Sequence, residues 1–211
     1  MSSGKGNGVE RSMIRYLEEH PEKILIPLLQ HIQLVLITLL ISVAVAAILT
    51  LLAMRFQSLG NVLMHLFSVI YSIPSLALFA LLIPLTGLGQ GTAILVMSAY
   101  NQYILLRNFI TGMNEVDPAV LEAASGIGMT QMQVLTKVQV PLSRKALIAG
   151  IRLAVVSTIG IGTIAAAINA GGLGVLLFDG LRTMNIVKIL WGSLLSAALA
   201  ILLNAVLKLA E

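Results

Sequence analysis

Five long apolar stretches constrain this chain more than any other feature of its sequence. They cover residues 34–54, 64–85, 92–109, 146–169 and 186–207. Each is close to the length of about 20 residues that a helix needs to cross the hydrocarbon layer of a membrane. Lipid offers backbone groups no hydrogen-bonding partner, and the runs are continuous rather than alternating, so helices are predicted rather than barrel strands. The predicted fold is an all-α membrane protein with about five transmembrane helices.

The composition excludes an ordinary water-soluble domain. Only 10% of the 211 residues are charged and 58% are hydrophobic, whereas soluble domains carry about 25% charged residues. The formal charge of +4 comes from basic residues that mostly flank apolar stretches, which favours membrane orientation over nucleic-acid binding. The chain has no cysteine, so disulfides and thiolate metal sites are excluded.

Residues 1–33 are predicted to form an N-terminal tail and an interfacial segment ahead of a transmembrane domain, residues 34–208. Charged residues between 15 and 23 are too dense for hydrocarbon, which favours a segment on the membrane surface over a sixth span. Pro21 and Pro27 are expected to interrupt any helix there. Basic residues flank the long polar loop 110–145, which places that loop in the cytoplasm, the N-terminus outside and the C-terminus inside.

The polar loop contains two helix starts. Asp117 followed by Pro118 predicts an N-cap with proline in the first helical position, and that helix should end at Gly126 or Gly128. Thr130 and Gln133 predict a capping box. That second helix should end near Val138, because Pro141 restricts the residue before it.

Apolar residues on these two short helices exceed what a solvated linker needs. They are Val120, Leu121, Met129, Met132 and Leu135. A docking element for a partner is therefore favoured over a simple connection.

The same loop resembles a signature of ABC importer permeases. Glu122, Ala123 and Ala124 are followed after three residues by Gly128, and nine further residues lead to Val138-Gln-Val-Pro141. The resemblance implies a type I importer permease of the bacterial inner membrane. Its coupling helix, which would include Glu122, Ala123, Ala124, Gly128 and Pro141, would dock on an ATPase subunit.

The family likeness also implies the remaining components. ATP and magnesium would be bound by the partner ATPase, and this chain would carry no cofactor. A second permease copy or a paralogue would complete the pore, and an extracytoplasmic solute-binding protein would deliver the solute.

Further motifs resemble permeases of osmoprotectant or quaternary-amine importers, whose solutes are glycine betaine, carnitine and choline. These motifs lie at 72–78, 83–89, 106–108, 126–130, 150–152 and 170–174. Methionine importer permeases share the five-span plan and a Gly-Gly-Leu-Gly element, so methionine is the alternative solute. An ATP-independent channel or secondary transporter is a further alternative.

Other function classes find little support in the sequence. The predicted spans contain no Asp or Glu, which argues against a proton-coupled transporter. The chain has no Gly-x-x-x-x-Gly-Lys-Ser/Thr phosphate loop, so the ATPase must be a separate chain. His20, His31 and His65 are isolated in the sequence, so neither a metal site nor a catalytic site is predicted.

Polar and aromatic residues in the spans are candidates for lining the solute path. They are Tyr71, Ser72, Pro74, Asn101, Gln102, Tyr103 and Asn169. Tyrosine faces and neutral polar groups would let a hydrated cation pass without a deep trap, and Pro74 is expected to kink the second span. Hydrogen bonding between helices is the alternative role. Glycines between 160 and 174 similarly indicate either tight packing within the subunit or a subunit interface.

Overall fold

The protein is helical throughout the part that the computed structural model describes, residues 3–209, with no strand in that range. The helices are α1 (Ser3–Glu19), α2 (Glu22–Arg55), α3 (Gln57–Ser72), α4 (Ser75–Thr86), α5 (Gln90–Asn114), α6 (Pro118–Gly126), α7 (Gln131–Val134), α8 (Val140–Leu142), α9 (Arg144–Ile164), α10 (Gly174–Arg182) and α11 (Ile186–Leu209). A π-helical turn, Leu135–Gln139, joins α7 to α8, and a 3-10 turn, Ala165–Ile168, follows α9. The predicted all-α class is confirmed.

Three of the described helical segments are long and apolar enough to cross a membrane. They are α2, the continuous stretch Arg144–Ile168 and α11. The pair formed by α3 and α4 makes a fourth if it is counted as one broken span. Helix α5 has 25 residues, which exceeds the length needed to cross a membrane. The polar Asn101 and Gln102 at its centre make it less apolar than the other spans.

The second predicted span is broken rather than kinked. Helix α3 ends at Ser72 and α4 begins at Ser75, with a bend of 102° between them. Pro74 has an extended backbone, with φ −55° and ψ 132°, and a proline also drives the residue before it out of the helical region. The prediction of a continuous helix over 64–85 is therefore wrong, although its weak point lies at Pro74 as expected.

Helix α2 begins earlier than the predicted first span, at Glu22. Pro21 stands just before it, and its carbonyl accepts hydrogen bonds from Ile24 N at 3.1 Å and Leu25 N at 2.9 Å. Pro27 lies inside the helix, so the expected interruption there is wrong. Pro27 removes one main-chain hydrogen bond, because its nitrogen carries no hydrogen, and the remaining bonds of the 34-residue helix outweigh that loss. Within the predicted N-terminal tail, Met1 and Ser2 lie outside the described residues.

The chain divides into two compact units. The first comprises the residues up to Thr38 together with Ile73–Met97 and Ser157–Leu202. The second comprises Leu39–Ser72, Ser98–Val156 and the residues from Leu203 onward. The second unit has a small apolar core of Ala46, Leu105, Phe109 and Ala154.

The first unit is built around the fully buried side chain of His31. Leu173 N lies 3.4 Å from His31 Nδ1. Glycines allow this approach, because a Cβ on Gly162 would lie 3.0 Å from His31 Cε1 and a Cβ on Gly172 would lie 2.8 Å from His31 Nδ1. These two glycines therefore serve packing within the unit.

The N-terminal helix is attached to the same unit. The indole Nε1 of Trp191, in the first turns of α11, donates a hydrogen bond of 3.2 Å to the carbonyl of Met13 in α1. Tyr16, one helical turn further along α1, packs its ring edge-on against His20 at 5.4 Å between centroids. Helix α1 thus has a defined position beside the start of α11.

We expect Gly174→Ala to destabilise the protein, because the added methyl group would overlap the backbone carbonyl of Thr163. Overpacking of this kind costs about 1–3 kcal/mol. The thermal unfolding midpoint in detergent should fall. Gly91→Ala is the matched control, since nothing lies within 4 Å of a Cβ there. Equal midpoints for the two variants would contradict the packing described for Gly174.

Candidate functional site

The first helix of the polar loop is capped as the sequence predicts. Asp117 is the N-cap of α6, and its Oδ1 accepts a hydrogen bond of 2.9 Å from Ala119 N. Pro118 occupies the first helical position. The helix ends at Gly126, and Gly128 has a left-handed backbone with φ +90°. Glycine adopts that conformation without steric cost, so the turn can lead directly into the next helix.

The second helix also starts as predicted but continues further. Thr130 Oγ1 accepts from Gln133 N at 3.3 Å, and Gln133 Oε1 accepts from Thr130 N at 2.9 Å, which completes the capping box. The predicted end near Val138 is wrong, because the helical run continues to Leu142. Val140 N bonds to Leu135 O, five residues back. This wider turn just before Pro141 accommodates the proline ring without ending the helix.

Residues 117–142 therefore form a capped helical hairpin, and most of its signature residues face outward. Glu122, Ala123, Gly128 and Pro141 are exposed, whereas Ala124 is buried at 7%. The hairpin also presents large apolar side chains. Val120 is 41% exposed, Met132 is 65% exposed and Ile127 is 82% exposed. Ile127 was missed by the sequence analysis, although its position between two glycines could have marked it as the tip of the turn.

The hairpin is fastened to the end of α5. Ser143 Oγ lies 2.9 Å from the carbonyl of Gly112 and 2.7 Å from that of Gln139. Gln139 Nε2 donates to the carbonyl of Met113 at 3.1 Å. Helix α9 packs so closely here that a Cβ on Gly112 would overlap the Cβ of Ala146. A displacement of the hairpin would therefore be passed to the end of α5.

Of the predicted path residues, Tyr71 and Tyr103 are brought together. Their ring centroids are 4.9 Å apart, and Tyr100 lies edge-on to Tyr71 at 5.7 Å. Arg107 Nη1 donates to Tyr103 Oη at 3.2 Å. Tyr71, Tyr103 and Arg107 line a cleft of about 400 Å³ that extends to Glu115. We call it the tyrosine cleft.

The other predicted path residues lie elsewhere. Asn101 and Gln102 are buried against α2, where Asn101 Nδ2 donates to Ser42 Oγ at 3.2 Å and Gln102 Nε2 donates to Ser42 O at 3.2 Å. These bonds favour the alternative role of helix–helix hydrogen bonding.

Ser72 Oγ donates to Ser68 O at 2.8 Å within α3, and Pro74 stands at the α3–α4 break. Asn169 belongs to the first unit, where it is exposed and left-handed with φ +61°. The role of these residues in a solute path stays a prediction.

Among the described residues, no group of three or more His, Cys, Asp or Glu side chains is placed to hold a metal ion.

Long apolar helices, one of them fastened to an exposed capped hairpin, define the chain as a helical membrane protein. Residues 39–210 match the family of binding-protein-dependent transport system inner membrane components, and the chain belongs to that family. It is therefore the permease subunit of an ABC importer, as the sequence signature predicted.

Three curated relatives show the same family over most of their length. The carnitine transport permease protein OpuCB of Listeria monocytogenes is 33% identical over 193 residues, covering 92% of this chain and 88% of the relative. The choline transport system permease protein OpuBB of Bacillus subtilis is 33% identical over 199 residues, covering 94% and 92%. The osmoprotectant import permease protein OsmW of Salmonella typhimurium is 36% identical over 180 residues, covering 83% and 84%.

Solved structures confirm the predicted fold. An inward-facing form of the MetNI methionine ABC transporter matches with a TM-score of 0.75 and 17% identity, covering 92% of this chain and 94% of that chain. An amino acid ABC transporter with histidines matches with a TM-score of 0.71 and 17% identity, covering 93% and 92%. The chain therefore has the fold of type I importer permeases.

We expect Ser143→Ala to loosen the hairpin from α5, because the buried carbonyl of Gly112 loses its side-chain partner. An unmet buried acceptor costs about 1–3 kcal/mol. Amide hydrogen exchange over residues 135–147 should therefore become about 5- to 150-fold faster, the factor to which that free energy corresponds. Ser125→Ala is the control, since Ser125 Oγ bonds only to Leu121 O of its own helix among the recorded contacts. Unchanged exchange in Ser143→Ala would mean that this bond does not hold the hairpin.

Proposed function

We propose that this permease imports a quaternary-amine osmoprotectant, namely glycine betaine, carnitine or choline, across a bacterial inner membrane. The proposal is supported by three relatives, at 33–36% identity, that are named for carnitine, choline and osmoprotectant import. The fold likeness to a methionine transporter is at only 17% identity, so it supports methionine only as the alternative solute.

The hairpin 117–142 is the observation that carries the coupling role. It is rigid, because both of its helices are capped by side chains, and its tip exposes Ile127 and Met132. Exposed apolar side chains of this size at a helix end are typical of a surface that a partner covers. Ala123 and Gly128 would allow the partner's backbone to approach closely, and Glu122 would offer a charge to it.

The partner would be an ATPase subunit that binds ATP and magnesium. When two ATPase subunits close on ATP, each would push on one hairpin. The bonds from Ser143 and Gln139 would pass that motion to Gly112 and Met113 at the end of α5. Because α5 also carries Tyr103 and Arg107, the motion would change the tyrosine cleft along with the helix.

The solute path would run along the tyrosine cleft. The face of a tyrosine ring attracts a quaternary ammonium group, typically by about 0.5–2 kcal/mol, which is enough to guide a cation without trapping it. Tyr71 is 41% exposed and so presents its ring to the path. Asn101 and Gln102 would hold α5 against α2.

Two permease copies, or this chain and a paralogue, would enclose the pore, because a single set of spans hardly surrounds a solute. A solute-binding protein outside the membrane would deliver the osmoprotectant. Selectivity would then depend on that protein as well as on the permease.

We expect Glu122→Arg to abolish co-purification of the ATPase, because the reversed charge faces the partner from an exposed site on α6. Glu18→Arg is the matched control, since it makes the same change on an exposed residue of α1. Both transporters are purified through a tag on the permease, and the bound ATPase is quantified. Equal recovery from the two variants would refute docking through Glu122.

A second pair of variants tests the turn of the hairpin. Gly128→Trp should release the ATPase, because a side chain at φ +90° is strained and also bulky at the tip. Gly126→Trp, two residues earlier and without a positive φ, should lose less ATPase. The reverse order would argue against close approach at Gly128.

We expect ATP-dependent uptake of labelled glycine betaine, choline or carnitine by proteoliposomes that contain the permease, the ATPase and the binding protein. Methionine should not be taken up. Uptake of methionine alone would move the protein to the methionine importers, and uptake that persists without ATP would favour a channel or secondary transporter.

A further inference from the structure

The first unit contains an open groove of about 790 Å³ that the coupling mechanism does not use. Its walls come from α1, the start of α2, the turn after α9, and α10. Its charged and aromatic lining residues are Tyr16, Glu22, Lys23, Phe178, Asp179 and Arg182. The groove therefore combines aromatic rings with charges of both signs.

The α10 wall of the groove carries one acidic and one basic residue, Asp179 and Arg182. The carboxylate of Asp179 accepts hydrogen bonds from Lys188 Nζ at 2.5 Å and from Arg182 Nη2 at 3.2 Å. The hydrogen bond from Lys188, followed by that from Arg182, lowers the pKa of Asp179, so the carboxylate stays ionised. Lys188, on α11 and outside the groove lining, shares Asp179 with Arg182, and the side chain of Arg182 remains 82% exposed.

The α2 wall carries an available carboxylate. The side chain of Glu22 is 56% exposed, and its Oε1 lies 3.8 Å from His20 Nδ1. Lys23, the next residue, is also exposed, so acidic and basic groups stand side by side on this wall.

Two aromatic residues that are far apart in the sequence both line this groove. Tyr16 comes from α1, and Phe178, which is 43% exposed, comes from α10. The seat of α1 keeps Tyr16 in place, because Trp191 holds Met13 one turn earlier. Aromatic faces beside a carboxylate form the type of surroundings that bind quaternary ammonium groups.

We propose that this groove binds a small zwitterion that carries a quaternary ammonium group. Glu22 and the faces of Tyr16 and Phe178 would contact the ammonium group, and Lys23 with Arg182 would contact the anionic group. The site rests on the proposed solute class and would give the permease its own acceptor for solute leaving the binding protein. A phosphatidylcholine headgroup has the same pair of charges, so lipid is the second source of this chemistry.

Choline separates the two halves of the site, because it has the ammonium group but no carboxylate. Glycine betaine would use both halves. Removal of the basic residues should therefore weaken betaine binding alone, whereas removal of Glu22 or an aromatic ring should weaken binding of both compounds.

The test is equilibrium binding of radiolabelled glycine betaine and choline to the full transporter, permease with ATPase, without the binding protein. The nanodiscs contain only phosphatidylglycerol, so no headgroup competes. We expect Glu22→Gln and Phe178→Leu to weaken both ligands, about five- to tenfold for the aromatic change. Phe178→Tyr should retain binding, because it keeps the ring.

The double variant Lys23→Gln/Arg182→Gln should weaken betaine about tenfold, as the loss of about 1.4 kcal/mol of charge attraction would. It should not weaken choline binding, because choline has no anionic group and two like charges are removed. The charge-matched control is Arg11→Gln/Arg15→Gln, which alters α1 residues outside the groove. Glu18→Gln is the control for Glu22→Gln. Wild-type binding by both controls is expected.

No direct binding of either compound, or equal losses in the groove variants and their controls, would overturn the site. If phosphatidylcholine discs reduce betaine binding and Glu22→Gln removes that effect, the occupant is a lipid headgroup. If betaine binds equally in both discs, the occupant is free solute. ATP-driven betaine uptake without direct binding would refute only the groove, whereas binding without uptake would refute only the proposed transport of betaine.

Discussion

The close contact between α2 and the glycine-rich segment 160–174 is the constraint on which the first unit depends. His31 is completely buried, and Gly162 and Gly172 leave just enough room for its ring. Gln30, beside it, accepts a hydrogen bond of 3.2 Å from Gly172 N. In lipid such backbone groups must find partners within the protein. The side chains of α2 therefore accept hydrogen bonds from N–H groups of this turn, which has no helical bonds for them.

This contact ties the turn after α9, just ahead of α10, to α2 within the first unit. Helix α10 is linked to α11 in turn by the ion pair of Asp179 with Lys188. The second unit has a comparable arrangement, in which Ser42 of α2 binds Asn101 and Gln102 of α5. Helix α2 is thus the element to which the polar side chains of both units are tied, each within its own unit.

Local features were predictable from the sequence, whereas features that depend on distant partners were not. The caps at Asp117 and Thr130 involve residues two and three positions away, so their spacing alone determines them. The rules for proline are also local, but at Pro27 and Pro141 they were outweighed, by a long helix in one case and by a π-helical turn in the other.

The face of a side chain on a buried helix was harder to predict. Asn101, Gln102 and Tyr103 are consecutive, yet only Tyr103 lines the tyrosine cleft. Consecutive residues on a helix point about 100° apart, and an all-round apolar helix gives no pattern that tells which direction faces another helix. The family signature marked residues 122–141 by their fixed spacing alone, so it needed no information about which other helices they contact.

The hydrogen bond from Trp191 to Met13 links the tryptophan fluorescence of the permease to the position of α1. Trp191 is the sole tryptophan of the chain. All tryptophan fluorescence of this subunit therefore comes from the place where α1 meets α11. Departure of α1 would expose that ring to water and shift its emission to longer wavelengths. The emission wavelength of Trp191 therefore reports, without an added label, whether the N-terminal helix is attached to α11.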